Sequence, residues 1–355
     1  MRLFKTIFLL FIIIFVNCKG EPNKLGQHST MMKPPNGMIW VESKTFLQGA
    51  KQDDKFAMNR ERPSHYVTVD GFYIDETEVT NAQFKSFIKA TNYITVAERP
   101  INWELMKKEL PPNTPKPHDS VLQPGSLVFN KNVRSVVNMQ NYGQWWTWMI
   151  GANWKHPFGP ESSIEGKDNY PVVHVALEDA LAYCKWANRR LPTEAEWESA
   201  ALGKNKNTIY TWGNDSSLLN KNANTWQGKF PNKNESKDGF AFISPVKSYS
   251  PNSIGLYDMI GNVWEITTDL FNIKYYSDLD TSEPLNNPQG ASNSLNLNNP
   301  YQTENVMKGG SFLCHQSYCA SFRISARMGV AQDSGSDHMG FRTVVTKDML
   351  NNKNF

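Results

Sequence analysis

The feature that most limits the possible folds is a long stretch, residues 95–165, in which the apolar residues follow neither a helical nor a strand period. The stretch contains Trp145, Trp146, Trp148 and Trp154. Such a segment either crosses the surface, pinned by its aromatic rings, or forms one wall of a substrate groove, because long irregular segments are often functional. The whole chain has 11 Trp, 13 Tyr and 19 Phe among 355 residues. We therefore predict a loop-rich α+β fold with little regular secondary structure, held together by large side chains.

Short strands are predicted before that stretch. Strand-like runs cover residues 38–41, 66–69 and 72–74, and an Asp-Gly turn separates the last two runs. No internal repeat and no boundary between two domains is indicated along the chain. We therefore predict one compact domain over residues 37–350.

Three helices are predicted from capping residues and hydrophobic spacing. The first begins at the capping box Thr80–Gln83, the second covers about residues 177–188, and the third begins at Thr193–Glu196 and ends at Gly203. The apolar faces of the first two consist of Phe84, Phe87 and Ile88, and of Leu177, Ala180, Leu181 and Cys184. A cysteine on such a face is expected to be a small core residue rather than a reactive thiol.

The N-terminus is predicted to be an export signal. Arg2 and Lys5 precede the apolar run 7–16, which is too short to span a bilayer. The run ends at Asn17 and Cys18, and a cysteine at this point is typical of a bacterial lipoprotein. The alternative is an ordinary secretory signal with an incidental cysteine.

These patterns predict where the protein is placed. We expect a signal peptide at residues 1–18 and a flexible, polar tether at residues 19–36. A lipid on Cys18 would anchor the exported protein to a membrane, facing the periplasm or the outer membrane. The net charge of +3 and the absence of a basic run predict no nucleic-acid partner.

The segment Lys308–Cys319 carries the most specific chemistry, since two thiols lie five residues apart after a pair of glycines. Glycine permits backbone angles that other residues avoid, so we expect a sharp turn or a close approach of another segment here. Arg323 and Arg327 follow the thiols. We predict that their positive charge lowers the thiol pKa and raises the thiolate fraction.

The spacing of the two thiols leaves two kinds of site open. A thioredoxin-like motif has two intervening residues, whereas four separate Cys314 from Cys319. A structural zinc site needs four ligands, and this segment offers only these two cysteines and His315. A disulfide in an oxidising compartment and a soft-metal site suited to copper(I) are both compatible with the spacing.

Two further stretches are rich in the oxygen ligands that calcium prefers. One consists of residues 224–228 followed by 238–240, and the other of residues 258–265. Calcium binds six to eight oxygens from carboxylates, amides and backbone carbonyls, often on turns that contain glycine. Spacing alone is weak support, because ordinary Asx turns contain the same residues.

The cysteine segment also resembles the active-site segment of the formylglycine-generating enzymes, which are the sulfatase-modifying factors. The resemblance rests on Gly309–Cys319 together with Arg323, Arg327 and Gly340–Arg342. Further motifs similar to this family occupy residues 151–157 and 190–198, and the resemblance covers residues 38–345. It implies a single compact domain of the formylglycine-generating-enzyme type, which is related to the C-type lectin fold.

The resemblance implies an activity. Members of this family use copper(I) and O2 to oxidise a cysteine to Cα-formylglycine, in a Cys-x-Pro-x-Arg motif of an unfolded or nascent sulfatase. The corresponding residues here imply copper binding by Cys314 and Cys319, and orientation of oxygen or substrate by Ser311 and Tyr318. The other implied catalytic residues are Trp264, which would exclude water from the pocket, and Arg327, which would favour thiolates.

The resemblance also implies two structural calcium sites on the oxygen-rich stretches. The first would use the side chains of Asn224 and Asp238 and the carbonyls of Thr225 and Phe240. The second would use the side chains of Asp258 and Glu265 and the carbonyls of Gly261 and Val263. The family often has Asn in place of Asp258, a change that keeps the ligand oxygen.

Two alternatives belong to other functional classes. Domains of this fold also serve as non-catalytic lipoprotein scaffolds of gliding or secretion machinery, and the retained cysteine pair favours the enzyme. A related iron-dependent sulfoxide synthase would need a three-histidine site, and the seven histidines here form no such cluster in the sequence. We interpret His315 and His338 as hydrogen-bonding surface groups, although the family usually has Asn at the second position.

Overall fold

The strands of this computed structural model, which describes residues 34–139 and 141–352, are short and form several small sheets. They comprise two three-stranded sheets, one four-stranded sheet and two two-stranded ribbons in the described residues. The strands are β1 Met38–Val41, β2 Lys44–Gln48, β3 His65–Val69, β4 Phe72–Asp75, β5 Gly125–Phe129, β6 Trp146–Ile150, β7 Gly228–Lys229, β8 Lys233–Asn234, β9 Trp264–Leu270, β10 Leu285–Asn286, β11 Glu304–Lys308, β12 Met328–Ala331, β13 Met339–Gly340 and β14 Val344–Val345.

The order of the strands brings distant parts of the chain together. One sheet has the order β1-β4-β14, another β10-β3-β2, and the four-stranded sheet has the order β12-β11-β9-β13. The three predicted N-terminal strands are confirmed, and the Asp-Gly turn connects strands that belong to two different sheets. Because β14 pairs with β4, the C-terminal strand of the domain completes a sheet that otherwise consists of the N-terminal strands β1 and β4.

The helices are also short, and the α+β, loop-rich prediction is confirmed. They are α1 Asn81–Thr91, α2 Trp103–Met106, α3 Leu177–Ala187, α4 Glu194–Leu202, α5 Leu219–Asn222, α6 Tyr275–Asp278 and α7 Lys347–Asn351. The capping boxes at Thr80 and Thr193 begin α1 and α4, and Gly203 ends α4 with a positive φ of 56°. Cys184 is buried in α3 as predicted, but Leu181 was assigned to the wrong face, since its side chain is 46% exposed.

The aperiodic stretch is held by its aromatic side chains. Trp145 and Trp154 are almost fully buried, and β5 and β6 form a ribbon within the stretch. A hydrophobic cluster joins the stretch to the segment that contains the cysteine pair, and its buried members are Phe129, Val133, Trp145, Trp226, Phe230, Phe312 and Leu313. The stretch is therefore both pinned by rings and packed against the predicted active segment.

Four cations lie in the interior with their carboxylate partners. The pairs are Lys308 with Glu198 at 2.7 Å, Arg323 with Glu61 at 2.7 Å, Arg327 with Glu194 at 2.8 Å and Arg342 with Glu265 at 2.6 Å. Each of these cationic side chains has no exposed surface. Buried charges are tolerated only when they are paired, so these four pairs determine how the last third of the chain docks.

The predictions for the N-terminal region stay predictions. The signal peptide, Cys18 and most of the tether lie outside the described residues. In the part of the chain that the structure does describe, there is no helix with the length and hydrophobicity needed to cross a bilayer.

Candidate active site

Both oxygen-rich stretches form main-chain hydrogen bonds with the segment around the cysteine pair. The Gly261 N–H donates to the carbonyl of Gly309, and the carbonyl of Asn262 accepts from the Phe312 N–H, each at 2.9 Å. On the other side, the Trp226 N–H donates to the carbonyl of Cys314 at 3.0 Å. The two stretches predicted to bind calcium therefore set the position of the thiols.

The paired glycines are needed for the geometry of this segment. Gly310 has a φ of 76°, and a Cβ atom there would lie 2.8 Å from the carbonyl oxygen of Ser321. Any other residue would combine an unfavourable backbone conformation with a clash. The expectation of a close approach is confirmed at this position.

Cys314 and Cys319 are adjacent, buried and free. Their side chains are 2% and 7% exposed, and the Ser311 N–H donates to the Cys314 sulfur at 3.4 Å. Burial raises the pKa of Cys314, and its hydrogen bond to Cys319 raises it further. Burial also opposes ionisation of Cys319, but hydrogen bonds from the Cys314 thiol and from Ser321 outweigh it and lower the pKa of Cys319. The pKa values of the two hydrogen-bonded thiols are therefore shifted in opposite directions.

The prediction that two arginines supply free positive charge to the thiols is corrected by their ion pairs. Arg327 donates to both oxygens of Glu194 at 2.8 Å. Arg323 pairs with both Asp54 and Glu61. Their charges are compensated by carboxylates, and hydrogen bonds are the largest causes that lower the pKa of Cys319. A third arginine, Arg60, interacts electrostatically with Cys319. The catalytic role of Arg327 stays a prediction.

The other predicted catalytic residues lie on two sides of the pair. Ser311 is buried, and its hydroxyl oxygen accepts from the Leu313 N–H at 3.3 Å. The Tyr318 ring stacks on Phe230, with centroids 4.3 Å apart, and burial raises the pKa of the Tyr318 phenol. Trp264 is buried at the start of β9 and belongs to the main hydrophobic core.

His338, which the sequence indicated only as a surface group at a position where the family usually has Asn, lies next to Ser311. It is partly buried, its Nδ1 lies 3.4 Å from the Ser311 hydroxyl oxygen, and its ring meets the edge of Trp146 at 4.8 Å. Burial, followed by the proximity of His174, lowers the pKa of His338 to about 3, so the imidazole stays neutral. Its position just before Gly340 was the available signal. His315, in contrast, is a partly exposed group that hydrogen-bonds Ser317, as expected.

An aromatic wall from the aperiodic stretch borders the site; we define it as Tyr142, Trp145, Trp146, Trp148 and Ile150. Tyr142 and Trp145 contact the Tyr318 ring edge-to-face, with centroids 6.1 and 5.6 Å apart. Tyr142, Trp148 and Ile150 are 54%, 38% and 46% exposed. Of the two interpretations left open by the sequence, the anchoring by rings is confirmed, and the wall of a substrate groove stays a prediction.

The first oxygen-rich stretch contains a buried acceptor that lacks a donor. The Asn224 side chain is 1% exposed, and its Oδ1 atom has no hydrogen-bond partner. The Asp238 carboxylate accepts from the N–H groups of Thr225 and Phe240 at 2.8 and 3.1 Å. A buried oxygen without a hydrogen-bond donor destabilises the folded state unless a water or a cation supplies the missing contact, so these residues fit a calcium ion.

The second stretch also contains a buried oxygen that lacks a donor, and calcium binding by its residues stays a prediction. The Asp258 Oδ1 atom is buried without a partner, and burial raises the pKa of this carboxyl to about 6. Glu265, however, accepts from Arg342 through both oxygens and from Trp197, which uses most of its capacity as a ligand. Glu78, which the sequence did not indicate, is fully buried with an unpartnered Oε2 and interacts electrostatically with Asp258.

No cluster of three or more His, Cys, Asp or Glu side chains arranged for a metal occurs within residues 34–139 and 141–352. Calcium at either stretch would thus depend on amide and backbone carbonyl oxygens in addition to carboxylates. The predicted carbonyls belong to Thr225, Phe240, Gly261 and Val263.

Calcium removal is expected to destabilise the protein and loosen the cysteine segment. A ligand at about 100 times its Kd adds about 2.7 kcal/mol to the unfolding free energy. We expect a chelator to lower the melting temperature of the wild type, and Asp258→Ala to make that difference smaller by the share of the second stretch, because it removes the unpartnered carboxylate. Differential scanning fluorimetry with calcium or chelator measures this. An equal effect of chelator on both proteins would contradict a calcium ion at Asp258.

Comparison with known proteins identifies the family. The model of the family described as "Sulfatase-modifying factor enzyme 1-like domain" matches residues 24–347. The formylglycine-generating enzyme of Mycobacterium tuberculosis is 41% identical over 292 residues, which are 80% of this chain and 91% of that protein. A mouse relative, "Inactive C-alpha-formylglycine-generating enzyme 2", is 34% identical over 308 residues, covering 86% of this chain and 84% of the relative.

A solved structure supports the fold. The structure of PvdO from Pseudomonas aeruginosa superimposes with a TM-score of 0.57 at 20% identity, covering 86% of this chain and 93% of PvdO. At that identity the likeness concerns the fold alone. Together, the match across residues 24–347, the 41% identity and the cysteine segment show that the chain belongs to the sulfatase-modifying factor family.

Proposed function

We propose that this protein oxidises a cysteine in the Cys-x-Pro-x-Arg motif of an unfolded or nascent sulfatase to Cα-formylglycine, using copper(I) and O2. The observation that carries the proposal is the buried, free pair Cys314 and Cys319, whose pKa values are shifted in opposite directions and which lies near the aromatic wall. The formylglycine-generating enzyme of Mycobacterium tuberculosis, at 41% identity, supports the same activity.

The donor set of the site suits a soft metal ion. Cys314 and Cys319 are two sulfur donors in an apolar surrounding, and thiolates select copper(I) over harder first-row ions. When bound there, copper(I) would supply the one-electron chemistry with O2 that protein side chains lack. The lowered pKa of Cys319 makes its thiol easier to deprotonate, which binding of such an ion requires.

The protein's own residues shape the surroundings of the reacting cysteine. Burial of the pair in the main hydrophobic core, which also contains Phe322, excludes water, which would compete for reactive species. The Ser311 hydroxyl and the Tyr318 phenol are held next to the pair, the first by Leu313 and the second by Phe230. Both groups are thereby positioned to orient substrate or oxygen without a conformational change.

The aromatic wall fits a polypeptide that is not folded. The exposed ring of Tyr142 lies next to Tyr318, and Trp148 and Ile150 of β6 are also partly exposed. An unfolded chain exposes the apolar side chains that such a surface binds. A folded sulfatase would bury the same side chains. The net charge of +3 gives no reason to expect a nucleic acid in this groove.

The test is conversion of a peptide. We expect the purified protein, given copper(I), O2 and a reductant, to convert a Cys-x-Pro-x-Arg peptide to the aldehyde, with a mass spectrum showing CH2–SH replaced by CHO. A peptide with Ser in place of Cys is the matched control and should stay unchanged. Absence of the aldehyde in the copper-loaded, reduced sample would contradict the proposal and favour the scaffold.

A non-catalytic scaffold is the second candidate. The observation in its favour is the 34% identity to a mouse protein described as inactive, which demonstrates that overall similarity does not guarantee turnover. Two buried thiols whose pKa values are shifted in opposite directions are typical of a chemically active site and are not required in a non-catalytic scaffold. The pair therefore favours the enzyme.

A further inference from the structure

We propose that His338 is a positioning residue, which orients the Ser311 hydroxyl for the reaction and links the aromatic wall to the cysteine pair. This inference rests on the proposed function, and it concerns a residue for which sequence reasoning had suggested only a surface role. The link consists of three successive contacts: Trp146 with His338, His338 with Ser311, and Ser311 with Cys314.

The hydrogen bonds of Ser311 define what His338 does. The Ser311 oxygen accepts from the Leu313 N–H at 3.3 Å, so its own proton is free to be donated. The acceptor in reach is Nδ1 of His338 at 3.4 Å. We therefore assign the neutral tautomer that carries its proton on Nε2, which makes Nδ1 an acceptor and directs the hydroxyl proton toward the imidazole.

Ser311 contacts the Cys314 thiol through its main chain and not through its hydroxyl. Its N–H donates to the Cys314 sulfur at 3.4 Å, and the Cys314 N–H donates back to the Ser311 carbonyl at 2.9 Å. The side chain and the backbone of one serine thus contact His338 and Cys314 respectively. Loss of the imidazole frees the hydroxyl to rotate, while the bonds between Ser311 and Cys314 persist.

The backbone of His338 is held on both sides. Its carbonyl accepts from the Trp264 N–H at 2.8 Å. The preceding Asp337 donates its N–H to Leu127 at 3.1 Å and accepts from the Phe129 N–H at 3.0 Å, which ties the residue to β5. With the main chain held and the ring edge-on to Trp146, the imidazole has little freedom to leave Ser311. A residue held this firmly is suited to positioning.

The expected signature is a change in kcat with KM preserved. Substrate binding uses the aromatic wall and the pair, both of which survive removal of the imidazole. A misplaced group near the reacting atoms lowers turnover on the order of 10- to 100-fold. We expect His338→Ala to lower kcat for the Cys-x-Pro-x-Arg peptide by such a factor, with KM changed less than about twofold.

Two conservative variants test the position of the acceptor. The side-chain amide of His338→Asn lies near the place of Nδ1 and should restore most of kcat, whereas that of His338→Gln lies nearer the place of Nε2 and should not. The double variant Ser311→Ala/His338→Ala should be no slower than Ser311→Ala alone, because both changes remove one interaction. The matched control is His118→Ala, which removes an exposed histidine whose Nδ1 also bonds a serine hydroxyl, Ser120, at 2.8 Å.

The outcomes separate this inference from the proposed function. If His338→Asn is as slow as His338→Ala, or if the double variant shows additive losses, the positioning role is overturned. If the wild type itself makes no aldehyde, the proposed function fails, and the hydrogen bond is judged by 15N NMR of the histidine ring. An acceptor Nδ1 whose shift changes in Ser311→Ala supports the contact, and an unchanged shift overturns it.

Discussion

Replacing Cys319 by Ser should abolish turnover and soft-metal binding while leaving the fold in place, and Cys314→Ser should do the same. Binding by two thiolates does not survive the loss of either one. The two residues are free thiols, so neither replacement breaks a crosslink. Even a disulfide here would close only a short loop, for which the chain-entropy account gives about 1–2 kcal/mol. Stability should therefore change little compared with activity.

Copper(I) affinity, measured by competition with a chelator, and thermal melting of each variant check this expectation. Cys184→Ala is the matched control, since Cys184 is also a buried free thiol but lies in α3, outside the pair. It should keep the copper stoichiometry of the wild type. Wild-type copper affinity in both serine variants would refute the metal site, and unfolding of both would assign the pair a structural role.

Replacing Glu194 by Gln should give the largest loss of stability among single substitutions in the buried ion pairs. Glu194 is 1% exposed and accepts from Arg327 and Lys308, both of which are fully buried. Removing its charge leaves two interior cations with one carboxylate fewer, and breaking a buried pair costs about 3–5 kcal/mol. Urea unfolding of Glu194→Gln against wild type measures the loss.

The control for this substitution is Glu178→Gln, which breaks the pair between Arg99 and a Glu178 side chain that is 62% exposed. Exposed pairs contribute less than about 1 kcal/mol, so this variant should unfold close to wild type. Equal midpoints for Glu194→Gln and wild type would contradict the ion-pair account.

The pH dependence of this ion pair has a defined sign. Burial opposes ionisation of Glu194, but Arg327 and Lys308 outweigh it and lower its pKa in the folded state. A carboxyl with a lowered folded pKa stabilises the protein above its unfolded pKa, and that contribution is lost as the pH falls through the folded value. The stability gap between wild type and Glu194→Gln should therefore close on acidification below about pH 4, the unfolded range of Glu.

Local patterns predicted what depends on neighbours in the sequence. Thr80 and Thr193 cap helices because each finds its partner three residues later, and Gly310 is needed where its own backbone turns. The same patterns failed where the partner is remote. Arg327 lies near the thiols in the sequence, yet its charge is compensated by Glu194, 133 residues away.

The two missed residues have the same explanation. Glu78 looks like an ordinary residue before a helix, and only the tertiary fold places it, fully buried, beside Asp258. The position of the His338 side chain depends on contacts with Ser311, which is 27 residues earlier, and with Trp146 in another part of the chain. No local period or motif encodes such contacts, which arise only when the sheets assemble.

The buried pair between Arg323 and Glu61, 262 residues apart, determines when the site can exist during synthesis. Contacts between residues so distant in the chain form slowly, because the intervening loop must close first. The cysteine pair lies between the strands that complete the sheets, so it stays solvent-exposed until nearly the whole domain has been made. The two thiols therefore reach their final, protected arrangement only late in folding.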